Sequence, residues 1–274
     1  MGTIPNAIRT TYLGHPFEYP AGSDLGRLVA DGHEWDAVLV PIIQAAFAGP
    51  TPFICEVGSN IGTSTRQILK AAPGARVLCF EPIERFRLFL ERNLALAGQA
   101  AEILPYIAGN RGGKAVLLRD GTTGSVVREP RFTIPEEAPV IRLDDVMARR
   151  PRLDFLKIDT DGYDFEVVRG AEQTIRRDQP VITIEYTPAY RRYGGPNGLR
   201  RLQGMGYRRL HLLDPAGHYL LSTDDANEAH ARSDQHIYGT YCDILACAAG
   251  SEAEARLERR LVLRPGALPV LARE

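Results

Sequence analysis

The residues best suited to chemistry stand directly after short apolar runs. Lys157-Ile-Asp159-Thr-Asp161-Gly162 closes one such run. Lys157 and Asp159 are two apart, so on a strand they project to the same face. A lysine inside an apolar strand needs a partner, and Asp159 or Glu185 is the expected one. Asp159 and Asp161 are candidate bases for taking a proton from an acceptor. With Glu185, the residue after the apolar run 181–184, they could instead offer hard oxygen ligands to Mg²⁺ or Ca²⁺. Asp161 also has a plain alternative as the cap of the following helix. A second group is Glu56-Val-Gly58-Ser-Asn60-Ile-Gly62-Thr63. Glycines here allow a tight strand-to-helix turn and close backbone approach to a ligand, and the helix start offers free N–H groups to an anion. The next apolar run ends at Glu81–Pro82, 23 residues past Gly58. A carboxylate there can accept hydrogen bonds from a ribose diol. His211 and His236 are further candidates for binding a substrate, although a lone histidine in a late strand or loop is more often structural.

These groups must be positioned by strands and helices in alternation. Apolar runs at 52–57, 77–80, 103–107, 153–158 and 180–184 are expected strands. Between them, 63–72, 84–97 and 164–176 carry apolar residues at helical spacing. Alternation of this kind predicts βαβ units and a mostly parallel sheet covered on both faces. In such sheets, ligands sit beyond the carboxyl ends of the strands. Residues 1–50 read as an N-terminal extension, with a hairpin within 11–19 and helices at 24–30 and 35–47. The main domain is expected over 51–248, with an insertion at 109–140 that contains a hairpin near 114–118. Strand-like runs at 207–213 and 242–246 follow a short helix at 197–203, and 249–274 reads as a helix and tail.

Composition narrows the class. The 274 residues are 44% hydrophobic and 24% charged, which excludes a disordered chain. Net charge is −1, with only three lysines among 33 basic residues. That balance argues against sequence-independent nucleic-acid binding. No apolar run approaches the ~20 residues of a membrane helix, and no secretory signal is evident, so a cytoplasmic protein without a membrane partner is expected. Four cysteines lack CxxC spacing, and Cys55 and Cys79 fall in apolar runs as buried thiols. No Tyr precedes a Lys by four, as a short-chain nicotinamide oxidoreductase requires. The only Gly-Lys pair, Gly113–Lys114, is followed by Ala115 rather than the Ser or Thr of a P-loop. No G-x-S-x-G is present, nor the N-P-P-aromatic signature of base methylation.

Taken together, EVGSNIG at 56–62, FEP at 80–82, IRLDDVM at 141–147, LKIDTDGYDFEVVRGA at 156–171 and IEYTP at 184–188 resemble the FkbM-type family of S-adenosylmethionine (SAM) methyltransferases. The resemblance implies a Rossmann-like class I fold with a seven-stranded sheet and helices on both faces. It implies SAM as methyl donor, S-adenosylhomocysteine (SAH) as product, and a hydroxyl acceptor on a small molecule or glycan. By position, Glu56, Gly58, Asn60, Gly62 and Thr63 would hold the methionine end. Glu81, with Pro82, would meet the ribose, and 107–110 would line the adenine. Asp159 would lie where the methyl sulfonium meets the acceptor. A catalytically silent SAM-binding or interaction protein with the same fold is the alternative. The expected reaction needs no metal, because Lys157 takes up one of the three carboxylates. The acceptor's identity and the oligomeric state are not legible.

Overall fold

A computed structural model describes residues 4–47, 49, 51–126, 133–186, 195–234 and 241–272. Its centre is an eight-stranded sheet. In spatial order the strands are Tyr219–Thr223, Leu210–Leu213, Cys242–Ala246, Val181–Tyr186, Phe155–Ile158, Phe53–Val57, Arg76–Phe80 and Glu102–Leu104. The last five pair in parallel, whereas Cys242–Ala246 and Tyr219–Thr223 run antiparallel to their neighbours. The expected seven-stranded sheet is therefore corrected to a mixed sheet of eight. The extra strand, Tyr219–Thr223, folds back beside Leu210–Leu213 after the turn at Asp214, whose carboxylate accepts from Ala216 and His218 N–H.

Side-chain alternation along the strands divides the core in two. Cys55, Val57, Leu156, Ile158, Ile182 and Ile184 face one side, where Phe165, Val168 and Ile175 of the helices Asp164–Gly170 and Glu172–Asp178 meet them. Ile54, Phe155 and Val181 face the other, against Leu39, Ile42 and Ile43 of Leu39–Ala46, Ile68 of Thr63–Ala71 and Leu90 of Glu84–Leu96. Lys157 shares its alternation with Phe155, so it points to this second side, under the N-terminal segment.

Two expected elements are divided. The 103–107 run splits at Pro105, which has no N–H to continue a ladder. Glu102–Leu104 edges the main sheet, while Ile107–Ala108 joins a four-stranded sheet with Ile134–Ile141, Gly113–Arg119 and Gly124–Ser125. The 164–176 helix breaks at Ala171. Gly170 packs so closely on Gly109 that a Cβ would lie 1.8 Å from its carbonyl oxygen. The second helix is started anew by the Asp144 carboxylate, which accepts from Gln173 and Thr174 N–H at 3.2 and 2.8 Å. Among the described residues, no helix is long and apolar enough to cross a membrane.

The N-terminal hairpin, Ala7–Tyr12 with His15–Pro20, is fastened by one buried amide. Asn93 Oδ1 accepts from Glu18 N–H at 2.7 Å, and its Nδ2 donates to the carbonyls of Glu18 and Ile61 at 2.9 and 2.8 Å. The same side chain thus holds the hairpin and the glycine-rich turn. Asn93→Leu leaves these backbone groups buried and unsatisfied. It should cost about 3 kcal/mol, three such losses each taken near the lower end of the ~1–3 kcal/mol range. Urea denaturation monitored by fluorescence and far-UV dichroism checks this, and an unchanged midpoint would contradict it.

Candidate active site

The strand Phe53–Val57 ends in a turn that only glycine permits. Gly58 has φ +88°, and a Cβ there would lie 1.8 Å from the Asp159 carbonyl oxygen. This close approach places the turn directly against the end of the neighbouring strand. Gly58 and Ser59 N–H both donate to the Phe80 carbonyl, which ties in the end of the strand Arg76–Phe80. Gly62, at φ +92°, leads into the helix Thr63–Ala71 without a side-chain cap. The first-turn N–H groups are thereby left without a capping side chain. Beneath the turn, the fully buried Glu56 accepts from Thr65 Oγ1 at 2.5 Å. Its role in this structure is to anchor that helix to the sheet from below.

Glu81 closes the turn from the next strand. Its Oε2 accepts from Asn60 N–H and its Oε1 from Ile83 N–H, both at 2.8 Å. Burial pushes its pKa up to about 7, against the lowering effect of those two bonds. Asn60 Nδ2 reaches the Thr122 carbonyl at 3.0 Å, and its Oδ1 is buried without a partner.

At the third strand end, Lys157 Nζ lies 2.7 Å from Asp159 Oδ2 and 3.3 Å from Asp36 Oδ2. The lysine side chain is 6% exposed, whereas that of Asp159 is 34% exposed. Register sets Glu56 directly opposite Lys157 on the adjacent strand. Burial works against the lysine's charge, yet Asp159, Asp36 and Glu56 together hold its pKa well above the ordinary value. The expected pairing with Asp159 is present. Glu185 is not a partner; the second carboxylate is Asp36, which sequence reasoning missed because residues 1–50 carry no recognisable motif.

The loop after Asp159 is held by neighbours on two sides. Asp164 accepts from Thr160 and Gly162 N–H at 2.9 and 3.0 Å. From the insertion, Thr123 Oγ1 donates to Asp161 Oδ2 at 2.6 Å, and Ser125 Oγ donates to the carbonyls of Thr160 and Asp161. Asp161 sits at φ +51°, in the left-handed region, and does not cap the helix Asp164–Gly170.

These strand ends surround one cavity of about 650 Å³. Gly58, Asn60, Thr63, Glu81, Pro82, Asp159, Asp161 and Glu185 line it. Glu56, Gly62 and Lys157 support it from outside the lining. Tyr241, Asp243, Trp35 and Thr122 to Ser125 line it as well and were not foreseen. Asp243 is the second residue of a strand, and its antiparallel register with Glu185 is not legible from a single chain. His211 lies apart: it sits on Leu210–Leu213, its Nδ1 is 2.6 Å from Ser222 Oγ, and burial with nearby Arg209 lowers its pKa to about 4. An acceptor role for His211 is therefore withdrawn in favour of a structural one. His236 lies outside the described residues. Among those residues, no three His, Cys, Asp or Glu side chains are grouped so as to hold a metal ion.

Lys157→Met strands two carboxylates and should lower stability by roughly 3 kcal/mol, the low end for breaking a buried ion pair because Asp159 is partly exposed. The deficit should be larger at pH 8 than at pH 5. In the variant, buried carboxylates must take up protons, which costs more as pH rises. Denaturation at both pH values checks this; an equal or reversed deficit would contradict it.

Residues 56–209, more than half of the chain, match the model of the methyltransferase FkbM domain. A curated relative, methyltransferase sdnD of Sordaria araneosa, is 25% identical over 158 residues, covering 44% of this chain and 61% of that protein. The chain thus spans about three-fifths of the curated relative's length. Among solved structures, an FkbM methyltransferase from Methylobacillus flagellatus is similar at 18% identity and a TM-score of 0.44, covering 72% of this chain and 44% of that one. A TehB-like SAM-dependent methyltransferase from Corynebacterium glutamicum is similar at 12% identity and a TM-score of 0.45, covering 82% and 93%. With the glycine turn, the Asp159 loop and the intervening strands all inside the matched segment, the chain belongs to the FkbM methyltransferase family.

Proposed function

We propose that the chain is a SAM-dependent methyltransferase that O-methylates a hydroxyl of a sugar or natural-product acceptor. One observation carries the reading. The Gly58 turn, the Glu81 carboxylate and Asp159 end three adjacent parallel strands and line one cavity. The donor set fits SAM: uncapped N–H groups for a carboxylate, the orphaned Asn60 Oδ1 for an ammonium, and Glu81 for a ribose diol. When bound, SAM supplies an electrophilic methyl group on a positively charged sulfur.

The chain's own work is positioning and proton transfer. The Gly58–Gly62 turn and Glu81 fix the donor end, and Asp159 faces the acceptor. Holding two reactants in line can be worth up to ~7–11 kcal/mol. Lys157 keeps Asp159 in place through the 2.7 Å ion pair. Asp159 would accept a hydrogen bond from the acceptor hydroxyl and take its proton as that oxygen gains the methyl group, whose bond to sulfur would break with SAH as the leaving group. Asp161 is tied to Thr123 and orders the loop. No step is assigned to a metal ion.

Calorimetric titration tests the assignment: SAH should bind, and tighter binding of NAD would overturn it. Glu81→Gln should weaken SAH binding by ~1–3 kcal/mol, the scale of a lost charged acceptor. Because Glu81 titrates near 7, wild-type affinity should fall as pH drops below that value and the variant's should not. An unchanged affinity in the variant would reduce Glu81 to a loop brace.

For any acceptor turned over, Asp159→Asn should lower kcat by ~10²-fold or more, the scale of general-base loss, with SAH affinity retained. Turnover should survive exhaustive EDTA treatment. Activity lost to EDTA and restored by Mg²⁺ would recast the carboxylates as ligands. SAH binding with no methyl transfer to any acceptor would favour the silent binding protein.

A further inference from the structure

The cavity is lined by eight carboxylates and, among the described residues, by no lysine, arginine or histidine. On its far side lie Asp36, Asp159, Glu185 and Asp243, and among the described residues Lys157 pairs with the first two only. Glu185 is more than nine-tenths buried, and its Oε2 has no hydrogen-bond partner. Asp243 sits directly opposite it on the antiparallel neighbour. Like charges so placed are destabilising, and burying a carboxylate without a partner is costly. Burial, reinforced by neighbouring carboxylates, raises the pKa of both well above the ordinary value. A cation entering the cavity would relieve both costs at once.

The sulfonium of the donor is in the wrong place to be that cation. Counting across the sheet, the strand ends run Glu81, Gly58, Asp159, Glu185, Asp243. With strands ~4.8 Å apart, Asp243 lies two spacings beyond Asp159 and four beyond the ribose carboxylate. Glu185 and Asp243 therefore face the acceptor half. Trp35 and Tyr241 line the same cavity, and aromatic faces together with carboxylates suit an ammonium group.

We propose, resting on the methyltransferase reading, that the acceptor is an amino-bearing hydroxyl compound whose protonated amine is held by Glu185 and Asp243. The hydroxyl is then presented to Asp159, and specificity resides in the charged handle rather than in the reacting group.

The test uses the full chain saturated with SAH, titrated calorimetrically with glucosamine, galactosamine and 2-deoxystreptamine. Glucose, galactose and N-acetylglucosamine serve as uncharged counterparts. At least one amine should bind tenfold or more tightly than the uncharged sugars, the scale of one charged hydrogen bond. Glu185→Gln and Asp243→Asn, each near-isosteric, should abolish that preference, with retained SAH affinity reporting that each variant folds. Amines that bind no better than their counterparts, or a preference that persists in both variants, would overturn the inference. Failure of SAH itself to bind would instead overturn the methyltransferase reading.

Discussion

A lysine buried beneath the middle of a β-sheet is the constraint on which the rest of this structure depends. Lys157 cannot stay charged there without carboxylates, and it has three within influence. Glu56 comes from the adjacent strand, Asp159 from its own, and Asp36 from a segment more than a hundred residues earlier. Meeting that demand requires the N-terminal segment to lie across the sheet. Once there, Trp35 and Asp36 become part of the cavity wall. The ion cluster thus joins three things: the packing of one sheet face, the closure of the cavity, and the orientation of its central acid.

The second constraint is steric. Gly58 and Asp159 approach so closely that no side chain fits between them. Two strand ends are thereby locked in register. Around this junction the segment 122–125 serves as a clasp, through Thr122, Thr123 and Ser125. Glu81 acts from the opposite side, and Asn93 holds the glycine turn from beneath. The site is therefore assembled mainly by backbone groups bonded to a few buried side chains. A site of this build tolerates changes at its outer wall more readily than at its floor.

Much of this was legible from residue order. Strand ends at Gly58, Glu81 and Asp159 declared themselves because an apolar run stops at a glycine or a carboxylate, and the alternation with helices pointed to a mostly parallel sheet. What escaped was non-local. Asp36 stands in a stretch with no motif, and only packing against the Lys157 face gives it a role. Asp243 required the register of an antiparallel pair. Tyr219–Thr223 has a half-buried pattern too weak to announce an eighth strand. His211 looked available because its ring is polar, but its partner, Ser222, lies on that unforeseen strand. Pro105 and Gly170 were visible breakers, and their effect was underweighted against continuous apolar spacing.

In the proposed complex the donor straddles the junction of Gly58 and Asp159, with the ribose on Glu81 and the reacting sulfur toward Asp159. A crystal structure of the chain with SAH measures this directly. The ribose hydroxyls should lie within hydrogen-bond distance of Glu81 and the sulfur on the Asp159 side of the glycine turn, with Glu185 and Asp243 still free to meet an acceptor. SAH lying across Glu185 and Asp243, with Glu81 untouched, would contradict it.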